Sequence, residues 1–175
     1  MKEQLYTIPV NDAFQSDCEC PLCKMKKELE QNAIEYTLGP SYMEDDNRAM
    51  TDEAGFCEKH IQDLYQQKNR LGLALILSTH MAKVTKDLQK LSKENVSTGK
   101  SILKKKNETT GLGSYVSDLE KNCFICSRIN NTFERYIDTI FHLYKKDASF
   151  SDKIKNSKGF CTYPVSYTHL RAHET

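Results

Sequence analysis

No stretch of this chain is apolar enough to span a bilayer. The densest run, Leu71-Gly-Leu-Ala-Leu-Ile-Leu77, falls far short of the ~20 residues a spanning helix needs. The opening residues, Met1-Lys-Glu-Gln-Leu-Tyr-Thr-Ile-Pro-Val10, lack the apolar centre of a signal peptide. Charge of one sign is missing too. The formal net charge is +1, so no whole-chain attraction to nucleic acid or to an anionic membrane is expected. There is no nucleotide-cradling loop, no serine-nucleophile elbow, no His-Glu-x-x-His and no paired acid/base constellation, so no catalytic residue is assigned and no enzyme is expected. Strand-like alternation is absent, which leaves an all-α fold. Apolar content of 38% is low for one large core and suits small helical units that lean on bound metal. These absences describe a soluble cytoplasmic protein. In that compartment seven cysteines argue for metal or redox chemistry over structural disulfides.

What the chain does have is one cysteine pattern written twice. Cys20-Pro-Leu-Cys23 is followed by Gly55-Phe-Cys57-Glu-Lys-His60. Cys123-Phe-Ile-Cys126 is followed by Gly159-Phe-Cys161-Thr-Tyr-Pro164. Cys23 and Cys57 are 34 positions apart, Cys126 and Cys161 are 35. A Cys-x-x-Cys turn aims two sulfurs at one point, and four tetrahedral thiolate and imidazole donors suit Zn2+. Cys57 and His60 lie about one helical turn apart and can leave the same face. The expected ligands are Cys20, Cys23, Cys57 and His60 in one half and Cys123, Cys126 and Cys161 in the other, one Zn2+ per half, the second set incomplete. The spacing also leaves open a crossed arrangement, with Cys20 and Cys23 joining Cys161.

Helical periodicity sets the surroundings. Met25, Leu29, Ala33 and Tyr36 mark a helix that stops at Gly39-Pro40. Ser41 is expected to cap a short helix reaching Ala54, with Glu44, Asp45 and Asp46 in its first turn. A long helix is expected over about 57–91. Its buried stripe would be Ile61, Leu64, Tyr65, Leu71, Ala74, Leu75, Ser78, Met81, Val84, Leu88 and Leu91. His80 on that helix reads as a hydrogen-bonded histidine with no ligating partner at Val84. Ile129, Phe133, Ile137, Ile140, Phe141 and Tyr144 mark a helix after Cys126, and Phe150 and Ile154 a short one before Gly159. The expected organisation is a helical half over 1–94, a flexible basic linker over 95–113 containing Lys104-Lys-Lys106, and a shorter second half over 114–164.

The alternatives are buried free thiols, which explain Cys18 well, and thiol redox chemistry at a helix N-terminus. Against redox stand the missing βαβ context and Glu19, which would raise the Cys20 thiol if close. Iron–sulfur ligation fits a Cys3His set less well.

The last residues, Val165-Ser-Tyr-Thr-His-Leu-Arg-Ala-His-Glu-Thr175, resemble a translated sequencing adapter, a segment to be kept out of fold reasoning. His169 and His173 are then discounted as ligands. The adapter's first two bases would complete codon 164, so the natural residue three after Cys161 is consistent with His, matching His60 after Cys57.

Thr7-Ile-Pro-Val10, Cys20-Pro-Leu-Cys23, Leu38-Gly-Pro-Ser-Tyr-Met-Glu-Asp-Asp46, Gly55-Phe-Cys57-x-x-His60 and Asn69-Arg-Leu-Gly-Leu-Ala74 resemble an uncharacterised bacterial family of unknown function. The resemblance covers essentially Met1 to Cys161. It implies a cytoplasmic helical protein with paired Cys/His motifs and supplies no activity. Some members carry a label as transporter substrate-binding proteins, which would call for an export signal or membrane partners. The functional expectation is a non-enzymatic, zinc-stabilised interaction module with a protein partner or a second copy. A thiol redox or metal-responsive protein is the alternative.

Overall fold

A computed structural model of the chain describes residues 5–97 and 111–161. Among the described residues every regular element is helical and no strand occurs, so the fold is all-α. The helices are α1 (Thr7–Gln15), α2 (Pro21–Leu38), α3 (Asp45–Ala54), α4 (Glu58–Tyr65), α5 (Arg70–Ser97), α6 (Gly111–Lys121), α7 (Phe124–Lys146) and α8 (Ala148–Asn156), with a 3-10 turn at Pro40–Met43.

The chain divides into two compact units, and neither is a sequence half. The first takes Met1–Asn32 and Arg128–Thr175; the second takes Ala33–Ser127. Helix α2 begins in the first unit and ends in the second, and α7 does the reverse. These boundaries differ from the expected 1–94 and 114–164. Of the expected linker, 98–110 lies outside the described residues and 111–113 is the first turn of α6. The adapter-like residues 165–175 also lie outside them.

In the first unit, α1 contributes Val10, Ala13 and Phe14, α2 contributes Leu22 and Met25, and α7 contributes Phe133, Tyr136, Ile137 and Ile140. Phe150 of α8 is fully buried among them. The rings of Phe14 and Phe150 meet edge to face at 5.1 Å, and Tyr6 and Tyr136 are tilted at 5.5 Å. Each such buried side chain stabilises the unit by roughly 1.5–3 kcal/mol. The α7 positions follow the expected period, except that Phe141 and Tyr144 are about half exposed. Helix α1 is not among the elements expected from the sequence.

In the second unit the expected long helix is two. Helix α4 ends at Tyr65, and α5 restarts under Asn69. The Asn69 carboxamide oxygen accepts from the Gly72 N–H at 2.9 Å, its carbonyl accepts from Leu73 N–H at 3.2 Å, and its Nδ2 donates to the Leu38 carbonyl at 2.8 Å. That is an N-cap tied to the end of α2. A Cβ at Gly72 would lie 2.5 Å from Asn69 Nδ2, so only glycine leaves the cap its room. The break resets the helical phase. Among the side chains described, Leu73 and Ile76 are the buried apolar positions of α5, while Leu71, Leu75 and Met81 of the expected stripe are exposed, as are Ile61 and Tyr65 of α4. Arg70 stacks its guanidinium 4.4 Å from the centre of the Tyr65 ring.

Helix α3 starts one turn later than expected, after Glu44 and not at Ser41. The Ser41 carbonyl accepts instead from Asn47 Nδ2 at 2.9 Å, and Asp45 and Asp46 fill the first turn. Helix α3 is fixed to α5 by Arg48, whose Nη2 donates to Thr79 Oγ1 at 2.9 Å and to the Leu75 carbonyl at 3.1 Å. Lys83 adds ion pairs to Glu53 at 2.8 Å and Asp87 at 2.7 Å, and Tyr115 of α6 donates to Asp87 at 3.1 Å.

Candidate metal centres

Three of these helices begin at a cysteine. The carbonyls of Cys20, Cys57 and Cys123 accept the first helical hydrogen bonds, from Lys24, Ile61 and Ser127 at 3.1, 3.0 and 3.0 Å. Each cysteine is thus the N-cap of its helix, and the second donor of each motif, Cys23, His60 or Cys126, sits at the third helical position. N-cap and third position are the pair that face one another in a capping box, which is why x-x spacing brings their side chains together. The Cys20 and Cys123 sulfurs each accept from the N–H of their partner cysteine, at 3.5 Å in both cases. The positive end of the helix dipole favours thiolate at these places.

The second unit brings two such helix starts together. Cys57 and His60 of the α4 start meet Cys123 and Cys126 of the α7 start, with all four donor atoms within 4.8 Å of one another. His60 Nδ1 lies 3.2 Å from Cys57 Sγ, 3.3 Å from Cys123 Sγ and 3.4 Å from Cys126 Sγ, and the sulfurs of Cys57 and Cys126 are 3.9 Å apart. Around one tetrahedral Zn2+, bonds of about 2.3 Å to sulfur and about 2.0 Å to nitrogen set donor separations of roughly 3.8 and 3.5 Å. The donor types, their number and their separations fit that ion. His60 and Cys123 are buried, Cys57 and Cys126 half-buried.

Backbone geometry holds the α4 start in place. Gly55 has φ 59 and ψ −157, a conformation side chains disfavour. Its carbonyl accepts from the Phe124 N–H at 2.9 Å, so the two helix starts are tied beside the donors they carry. The rings of Phe56 and Phe124 meet at 6.3 Å. His80 packs against Gly55 with Nδ1 2.8 Å from the Asp52 carbonyl, a supporting contact and not a ligand.

The first unit assembles Cys20, Cys23 and Cys161, again within 4.8 Å. Cys161 follows Gly159, the other glycine with positive φ among the described residues, at 104. Its N–H donates to Cys20 Sγ at 3.3 Å. Lys158 pairs with Asp17 at 2.6 Å, holding its carboxyl below the usual range and drawing this segment to the turn before α2. Phe160 meets Phe14 at 6.1 Å. Phe160 and Leu22, each beside a clustered cysteine in sequence, help line an apolar groove of about 330 Å³ with Ile137, Ile140 and Ile154.

The pairing within sequence halves is therefore corrected. Cys20 and Cys23 do not meet Cys57 and His60; the two motif copies exchange partners, in the crossed arrangement that spacing left open. Cys18 belongs to neither group, its sulfur lying 3.4 Å from Ser16 Oγ and 3.8 Å from the Ala13 carbonyl. Residue 164 lies outside the described residues.

The thiols show what an ion would contribute. Burial, then the neighbouring sulfurs of Cys161 and Cys20, push Cys23 up to about 12. Burial and the sulfurs of Cys123 and Cys57 push Cys126 up to about 12. Burial also works against ionising Cys20, but hydrogen bonds from the Cys161 and Cys23 backbone outweigh it and bring that thiol below its ordinary value. Further thiolates crowded into the same space need a cation.

A family model described as a family of unknown function, DUF6062, matches residues 1–172. No curated protein and no solved structure matches the chain.

Proposed function

Because the chain belongs to the family of unknown function DUF6062, we propose its role from the donor clusters: a helical interaction module held together by Zn2+, without enzymatic activity. One observation carries the reading. Three sulfurs and a ring nitrogen from residues as distant as Cys57 and Cys126 converge at separations that one tetrahedral ion requires. Four protein donors close such a site to substrate, which makes it structural. The ion would supply folding free energy by joining the starts of α4 and α7. We place the protein in the cytoplasm, where thiol ligands stay reduced; among the described residues no helix is long and apolar enough to cross a membrane. Leu71, Leu75 and Met81, left exposed along α5, support a protein partner or a second copy.

Metal analysis of the freshly purified full chain, with thermal unfolding before and after a strong chelator, tests this. Bound zinc and a melting temperature lowered by several degrees on chelation are expected. Metal-free protein that melts identically with and without chelator overturns it.

The lowered Cys20 thiol beside a raised Cys23 favours, as a second reading, a dithiol that cycles through a Cys20–Cys23 disulfide. Cys20 is only 4% exposed, which impedes attack on an external disulfide. Reversible oxidation of metal-free protein, followed by thiol titration, would establish it.

A further inference from the structure

We propose that Cys57 and Cys126 of the four-donor centre are an oxidation site, at which a hydroperoxide converts the two sulfurs to one disulfide and thereby releases the ion. The inference rests on the metal-binding reading above and adds a release step to it.

The four donors are not equally shielded. Cys123 is 2% exposed and His60 3%, whereas Cys57 and Cys126 are half-buried. The two accessible sulfurs also touch one another across the centre, 3.9 Å apart and carried by different helix starts. A bound cation keeps such sulfurs as thiolates at neutral pH, and thiolate is the form that attacks peroxide. One thiolate, of Cys57 or Cys126, attacks the terminal peroxide oxygen. An S–O bond forms, the O–O bond breaks, and the departing oxygen takes a proton to become water or an alcohol. The second thiolate then attacks the sulfenic sulfur. The S–S bond forms, the S–O bond breaks, and the departing hydroxide takes a proton to become water. Two electrons pass from the two sulfurs to the peroxide. The disulfide withdraws two of the four donors, and Cys123 with His60 is only half of a tetrahedral set.

The new bond ties the same elements that the ion tied. The Gly55 carbonyl and the Phe124 N–H, at 2.9 Å, already hold the starts of α4 and α7 side by side. A Cys57–Cys126 link spans 69 positions of chain, and a cross-link over a long loop constrains the unfolded state strongly. The oxidised chain therefore keeps its helices after the ion has left. A Cys123–Cys126 link inside the first turn of α7 would withdraw two donors as well but leave α4 untied. Small thiols of a reducing compartment reverse the Cys57–Cys126 bond by exchange.

The full chain, loaded with Zn2+ and treated with hydrogen peroxide, provides the test. Released zinc is read with a chromogenic chelator, and disulfides are mapped by proteolysis and mass spectrometry. Cys161→Ser is run beside the parent, so that release from the four-donor centre is read without the other cluster; the mapping in the parent stands by itself if that variant fails to fold. Zinc should appear in step with a Cys57–Cys126 cross-link, the far-ultraviolet helical signal should persist, and dithiothreitol should restore zinc binding. Release accompanied by a Cys123–Cys126 link, or by no link to Cys57, overturns the proposal, as does loss of the helical signal on oxidation. Zinc retained by Cys161→Ser at peroxide levels that oxidise Cys161 in the parent also overturns it, while the metal-binding reading stands. Protein that holds no zinc before peroxide overturns the metal-binding reading instead. A Cys57–Cys126 cross-link formed in that protein would still uphold the oxidisable pair, and its absence would overturn both.

Discussion

Gly55 carries a constraint that its sequence neighbours do not announce. A Cβ there would sit 2.7 Å from two atoms of the His80 ring, on a backbone whose φ of 59 already disfavours side chains. Gly159 shares the positive φ but, among the described residues, has nothing within 4 Å of the same position. Gly55→Ala should therefore destabilise the protein more than Gly159→Ala. Torsional strain of about 1–3 kcal/mol is common to both, and displacement of His80 is added only at Gly55. Thermal unfolding of the two variants, with zinc present in excess, measures the difference. Equal losses would mean that His80 gives way freely. Asn69 and Gly72 form a similar dependent pair, since the cap of α5 needs the glycine's missing side chain.

At the scale of the element, helix starts do most of the positioning. Helix α8 opens on Asp147, whose Oδ1 accepts from Ser149 N–H at 2.9 Å, Ser149 Oγ–H at 2.7 Å and Phe150 N–H at 3.3 Å. Those donors, the Ser149 hydroxyl foremost, hold the carboxyl below its ordinary value. A carboxyl depressed by folding contributes stability that is present above its unfolded value and disappears as pH falls through the folded one. Asp147→Ala should lower the melting temperature at neutral pH, Asp147→Asn should lower it less, and the gap between parent and alanine variant should close in acid. The cap sits three residues before Phe150, so circular dichroism together with near-ultraviolet signals would register loss of α8 and of its core contact. The starts of α2 and α7 use a related geometry, with the sulfurs of Cys20 and Cys123 in place of carboxylate.

At the scale of the whole molecule, the exchanged partners make a sharp statement about cysteine variants. Cys57→Ser and Cys126→Ser should remove the same metal equivalent; Cys20→Ser and Cys161→Ser should remove the other. Pairing within sequence halves would group Cys57 with Cys20 instead. Equilibrium dialysis of the four variants decides between the groupings. Uptake should also weaken as pH falls. Cys23 and Cys126 sit at about 12 without an ion, so binding expels protons, and protons compete with the ion for sulfur. Chelator competition at several pH values should give an apparent affinity that rises with pH.

The sequence by itself determined the helical class, the cysteines and histidine that the structure gathers into two clusters, and the helix starts that bring all of them but Cys161 together in pairs. Sulfur and imidazole chemistry and a three-residue offset are local properties, written within one turn of chain. Helix α1 and the restart of α5 escaped notice: in α1 only Val10, Ala13 and Phe14 are buried, and in α5 the phase changed at a polar Asn69. Which pair meets which was decided only by the tertiary structure. The spacings of 34 and 35 positions fit either arrangement. The entropy of closing a longer loop grows only logarithmically with its length, so nearness along the chain gives little preference for a partner. The Gly55 carbonyl bonded to Phe124, and the Cys161 amide on the Cys20 sulfur, made that choice.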